Sequence, residues 1–153
     1  MSERFKPFAT VALIIEHQER FLMVEELDEY GKKVFGMPSG HIDAKEGIIT
    51  AALREGFEES GCKVELTALT GIYDYVKDYE TIYRFCFAAK LSEIPEVLHT
   101  ADPDGEILNV SWYTKEEIYA HKDKWRTRLV GRCMDDYLKG ERYQLSLIHF
   151  LEP

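Results

Sequence analysis

A chain of 153 residues with 45% hydrophobic and 31% charged side chains can bury one core of ordinary size, which points to a single domain over 1–153 and excludes collagenous, coiled-coil and disordered classes. Its formal charge of −9 repels polyanions, so no long nucleic acid is expected as a partner, whereas a small phosphorylated substrate can be held if a divalent cation bridges the two negative groups. Phe8 to Ile15, the longest apolar stretch near the N-terminus, is far short of the roughly 20 residues a membrane helix needs, and it contains Thr10, so no membrane association is expected.

Residues Met1 to Pro7 carry Glu3 and Arg4 and do not have the pattern of a secretory signal. Cys62, Cys86 and Cys133 stand at spacings that make neither a disulfide framework nor a paired metal knuckle. They read as reduced core residues of a cytoplasmic protein.

Phe8 to Ile15 reads as a buried strand that forms a hairpin with Phe21 to Val24 across the polar turn His17 to Arg20. Val34 to Gly40 runs into Met37-Pro-Ser-Gly40. There Pro38 is expected to end strand pairing, and Gly40 to supply a positive φ or a close backbone approach. Asp43 and Glu46 resemble a capping box, so a helix is expected from there to the terminating Gly61, with Ile49, Ala52, Leu53, Gly56 and Phe57 at helical spacing. Lys63 to Tyr75 and Thr81 to Leu91 read as strands; in the second, Tyr83, Phe85 and Phe87 alternate with Ile82, Arg84 and Cys86. Leu91 to Glu106, with its prolines, Gly105 and acidic residues, is expected to be a loop or a lid between structured parts. Ile107 to Tyr113 returns to strand, Thr114 to Glu117 is a capping box opening a short helix, and Trp125 to Leu138 has helical spacing ending near Gly140. Strands interspersed with two or three helices give an α+β fold or an α/β/α sandwich.

The chemistry concentrates in Gly40 to Cys62. At about 100° per residue, Glu55, Glu58 and Glu59 project from one helix face. Such like charges cost a bare helix a few tenths of a kcal/mol per pair, and a hard divalent cation reverses the sign. Magnesium, which prefers oxygen ligands, suits this face, with manganese as the alternative. Arg54 is placed to anchor Glu55 or to pair with Glu58. A glutamate-rich helix face taken alone is most often a solvated surface, and it is the wider spacing that changes the weighting.

That wider pattern, Gly40, five residues, Glu46, seven residues, then Arg54-Glu55-X-X-Glu58-Glu59-X-Gly61, is similar to the Nudix box at every charged and glycine position. It departs at Gly56, where the family usually has a bulky aliphatic residue. The resemblance implies a Nudix-type α/β/α sandwich with a mixed sheet and a catalytic helix. It also implies Glu55, Glu58 and Glu59 as metal ligands with the backbone carbonyl of Gly40, and Glu46 and Arg54 as supporting groups. The box does not specify the general base, for which Glu106 in the acidic loop is the candidate.

Phe5 to Ala12, Met37 to His41, Ser111 to Ile118 and Arg126 to Leu145 look like the NudJ-type phosphatases within that family. This implies hydrolysis of nucleoside diphosphates and triphosphates and of thiamine-pathway pyrophosphates, with release of orthophosphate. A pyrophosphohydrolase cutting a nucleotide sugar or dinucleotide at the α–β linkage, and a non-catalytic nucleotide-binding domain, stay open beside it. So do a monomer and a homodimer. Arg126, Arg128, Arg132 and His41 are the candidate substrate contacts. The first three also suit a solvated basic helix face, and the tyrosines Tyr73, Tyr75, Tyr79 and Tyr83 suit either sheet packing or ring stacking.

Overall fold

The computed structural model describes residues 3–153. Its strands are β1 Phe8–His17, β2 Arg20–Leu27, β3 Lys33–Gly36, β4 Ser39–His41, β5 Val64–Val76, β6 Thr81–Leu91 and β7 Ile107–Thr114; its helices are α1 Ile48–Ser60, α2 Lys115–Ala120 and α3 Leu129–Leu138. The strands run in the order β3-β2-β1-β6-β5, with β4 also paired to β1 and β7 to β2. β1 and β6 are parallel and the other pairs antiparallel, so the sheet is mixed, as expected.

The β1–β2 hairpin pairs only beside its turn, at Glu16↔Phe21 and His17↔Arg20. The strands then part, β1 toward β4 and β6 and β2 toward β3 and β7. Continuous apolar character makes this possible, because Val11 to Ile15 are buried on both faces of β1. On one face Val11, Leu69 and Phe87 pack with Ala51 and Ala52 of α1. On the other, Ala12, Ile14 and Cys86 pack with Leu129, Val130, Cys133 and Met134 of α3. One helix on each face makes the sandwich.

Two local expectations are corrected. Pro38 does follow the end of the β3–β2 pairing, as expected; β4 after it pairs with β1 instead, and the Pro38 carbonyl accepts a bond from Leu13 N at 2.9 Å. The helix does not begin at Asp43. Asp43 N donates to Glu46 Oε1 at 3.0 Å, one half of a capping box, but Lys45 has φ 67°, which interrupts helical geometry, and Gly47 becomes the N-cap. The last helix begins at Leu129 and not at Trp125, because Arg126 N donates to Phe35 O at 2.8 Å and Trp125 pairs with Phe35 as an extended bridge. Arg126 therefore leaves the helical row of Arg128 and Arg132.

Gly56 has a packing reason: a Cβ there would stand 2.7 Å from Val64 Cγ2 and 3.0 Å from Leu13 Cδ2, so α1 approaches the sheet more closely than a side chain would allow. Gly61 ends α1 at φ 73°, as expected, and Thr114 caps α2 through a full capping box. The 92–106 segment is a loop that packs over the end of α1, with Ala101 N and Thr100 Oγ1 donating to Glu58 O at 2.8 and 3.0 Å. Cys86 and Cys133 are buried free thiols, and Cys62 is half-buried. Among the described residues no helix is long and apolar enough to cross a membrane.

Candidate active site

Arg54 organises the carboxylates of α1. Its Nε and Nη2 donate to Glu46 Oε2 and Oε1 at 2.7 and 2.9 Å, a two-pronged contact. Its Nη1 donates to Glu55 Oε1 at 2.8 Å and Glu58 Oε2 at 3.2 Å, and Nη2 also reaches His41 O at 3.0 Å. One guanidinium thus ties the turn before α1, two carboxylates on its face and the end of β4. The bond from Arg54 holds the Glu46 carboxyl below its ordinary pKa, and Glu46 in turn makes Arg54 hold its proton more firmly.

Gly40 lies against the Glu55 carboxylate, and one strand residue earlier Ser39 N donates to Glu59 Oε1 at 2.8 Å. Both glutamates are buried. Burial pushes Glu59 up to about 8, against the opposing effects of the Arg126 cation and the Ser39 N–H, while Glu55 and Glu26 push it further up. Burial also raises Glu55, with Arg54 opposing and Glu58 adding to the rise.

This donor set fits a hard divalent cation. Among the described residues no three acidic, His or Cys side chains are already converged as a metal cage. Instead, the carboxylates of Glu55, Glu58 and Glu59 each spend one oxygen on Arg54 or Ser39. Their clustered, partly desolvated charge is what oxygen-seeking cations such as magnesium compensate.

Arg126 reaches this cluster from outside the box: Nη1 donates to Ser39 Oγ at 2.6 Å, and Nε forms an ion pair with Glu26. Burial raises the Glu26 carboxyl, Arg126 opposes, and Glu106 and Asp102 add to the rise. Glu106 itself is exposed, its backbone N–H bonded to Asp102 Oδ2 at 2.7 Å, so it stands beside Glu26 at the rim.

The remaining sequence candidates go elsewhere. The exposed His41 ring meets Phe8 edge-on at 5.4 Å and contributes its backbone carbonyl to the Arg54 network. Arg128 sits over Tyr75 at 5.1 Å and Arg132 over Tyr73 at 5.9 Å, on the wall of a cavity of about 930 Å³ that also includes Asp136. Tyr73, which donates to Asp136 Oδ2 at 2.7 Å, is buried, whereas Tyr79 is exposed. Sequence reasoning missed Glu26 and Ser39, which Arg126 joins to the cluster. Ser39, a small residue in a turn sequence, carried no signal of this role.

Comparison with known proteins bears on the family and the fold. The NUDIX domain family matches residues 6–131. Phosphatase NudJ of Escherichia coli (strain K12) is 33% identical over 145 residues, covering 94% of this chain and 92% of that protein. A NUDIX hydrolase from Nitrosomonas europaea superposes with a TM-score of 0.87 at 33% identity, covering 95% of this chain and 98% of the other. A UDP-X diphosphatase shares the fold, with a TM-score of 0.70 at 19% identity over 94% of this chain and 68% of that one.

Proposed function

This chain belongs to the Nudix hydrolase family, whose members act on phosphorus-containing anhydrides, and on that premise we propose a magnesium-dependent phosphatase that releases orthophosphate from small nucleoside diphosphates and triphosphates or thiamine-pathway pyrophosphates. The observation that carries the reading is the Arg54 network, in which one guanidinium orients Glu55 and Glu58 beside Gly40 while Ser39 N–H orients Glu59. Similarity to Phosphatase NudJ over 94% of the chain supports the orthophosphate product.

In this reading Glu55, Glu58, Glu59 and the Gly40 carbonyl hold magnesium, with manganese as its substitute. The bound ion supplies charge compensation for the phosphates and helps acidify the attacking water. Arg54 keeps two of the carboxylates in one orientation, and Glu46 keeps Arg54 there. Glu106 is the proton acceptor, on a loop tied to the end of α1 through the Glu58 carbonyl. Arg126 faces the substrate phosphates. Arg128 and Arg132, over Tyr75 and Tyr73, line space for its organic part, and the exposed His41, next to Gly40 on β4, is a further phosphate contact. The free thiols Cys62, Cys86 and Cys133 support a cytoplasmic location.

The test is product identification by chromatography for adenosine diphosphate, adenosine triphosphate and thiamine pyrophosphate, with magnesium and in a metal-free control. Magnesium-dependent orthophosphate supports the proposal. Pyrophosphate as the main product from the triphosphate assigns cleavage to the α–β linkage instead, and no turnover of any of the three sinks the phosphatase reading.

A further inference from the structure

A row of directly paired residues crosses four strands: Tyr73 on β5, Arg84 on β6, Thr10 on β1 and His41 on β4. Residues opposite one another on a ladder share a face, and neighbouring strands lie about 4.8 Å apart, so the row runs roughly 14 Å from the cavity wall to the strand bearing Ser39 and Gly40. Arg84 occupies the middle. It is only 8% exposed, yet among the described residues it makes no ion pair and one hydrogen bond, from Nε to the neutral Thr10 Oγ1 at 3.2 Å. Nearby, Arg126 Nη2 is buried with no hydrogen-bond partner among the described residues.

A buried guanidinium without a carboxylate is costly, and a second cation close by makes it costlier. Burial does push the Arg84 pKa down, and the Arg126 charge works in the same direction, while the neighbouring Cys133 and Cys86 thiols and the Glu59 carboxylate work against both. Glu26 already takes the Arg126 charge, and Glu59 accepts from Ser39 N, so neither is spent on Arg84. An anion from outside the chain would complete the balance. The Arg84 fork and the unpartnered Arg126 Nη2, the other Arg126 nitrogens being taken by Ser39 and Glu26, suit phosphate oxygens, which accept several N–H donors.

We propose that Arg84, together with Arg126, binds the phosphate of a diphosphate substrate that is not held at the carboxylates of α1, making Arg84 the residue that selects diphosphates over monophosphates. This rests on the phosphatase reading above for which end of the substrate lies at α1. The tyrosines beyond Arg84 then face the organic part, so one substrate extends along the row from metal site to cavity.

The experiment titrates methylenediphosphonate, a diphosphate that cannot be hydrolysed, into the magnesium-loaded protein, with orthophosphate as the comparison. Arg84→Met is expected to weaken the diphosphonate by about tenfold or more and orthophosphate much less, while melting no lower than the parent because an unpaired buried charge is removed. Arg84→Lys keeps the charge, loses the fork, and is expected to fall between the two; it serves if the Met variant folds poorly. Parental diphosphonate affinity in both variants, or an equal loss for both ligands, overturns the proposal. Failure of the phosphatase reading shows separately, as absence of phosphate release by the unaltered enzyme.

Discussion

The Glu55 carboxylate fills the space that a side chain at position 40 would need: a Cβ built on Gly40 would stand 2.3 Å from both Cδ and Oε1 of Glu55. Gly40 has no positive φ, so its role is close approach and not backbone conformation.

Gly40→Ala should therefore push the Glu55 carboxylate away from Arg54 Nη1 while leaving the fold intact, since the clash is with the far end of one side chain. A displacement of about 1 Å at a reacting centre costs on the order of 100-fold in rate. Steady-state kinetics with magnesium, alongside a melting curve, checks this. Turnover within about threefold of the parent, against the 100-fold expected, would detach Gly40 from the metal site.

Glu59 sets a second expectation. Its carboxyl is pushed from an ordinary 4.5 up to about 8 in the folded protein. Between those values the native state keeps a proton that the unfolded chain has lost. Stability of the metal-free protein therefore falls as pH rises through that window. Chemical denaturation at pH 5 and pH 8 should show the fall, and Glu59→Gln should flatten it. Magnesium must displace the same proton, so its affinity should rise with pH toward 8. An unchanged slope in the Gln variant would assign the effect to other groups, of which Glu26 and Glu55 are also raised by burial.

Much of the site was legible because the chemistry has a fixed local spacing. Glu55, Glu58 and Glu59 share a helix turn, and Arg54 joins them through bonds that the spacing anticipated. The strands and the acidic loop followed from apolar patterning and turn residues, and the mixed sheet from the resemblance to the Nudix family. What could not be read was long-range. Arg126 reads as helical by pattern, yet its backbone is captured by Phe35 O, ninety-one residues earlier, and its side chain by Ser39 and Glu26. Arg84 looks like one alternating strand residue, and only the register with Thr10 and Tyr73 shows where it lies. The helix start moved because Lys45 adopts a left-handed φ, a conformation no capping pattern announces.

Gly56 gives a stability test of the one departure from the box. Alanine is favoured over glycine in a helix interior by about 1 kcal/mol, which alone would stabilise Gly56→Ala. The added Cβ would meet Val64 Cγ2 at 2.7 Å and Leu13 Cδ2 at 3.0 Å in the packed interior, and overpacking of this kind costs about 1–3 kcal/mol. The net expectation is destabilisation. In the double variant with Val64→Ala, the two changes should cost less than their sum, because the second makes room for the first. Denaturant titrations of the four proteins check it, and strict additivity would mean that Val64 is not the obstacle.

The last prediction concerns which phosphorus is attacked. A divalent cation held by Glu55, Glu58 and Glu59 would bind one end of the substrate in the proposed arrangement, and Arg126, bonded to Ser39, would hold the other phosphate. With the organic part over Tyr73 and Tyr75, the phosphate nearest the carboxylates is the terminal one, so water should enter there. Hydrolysis of a nucleoside diphosphate in water labelled with heavy oxygen should place the label in orthophosphate and leave the monophosphate unlabelled. Mass spectrometry of both products reads this directly. Label in the monophosphate, or a triphosphate yielding mainly pyrophosphate, would put attack at the α phosphorus and reverse the orientation of the substrate along the Tyr73, Arg84, Thr10 row.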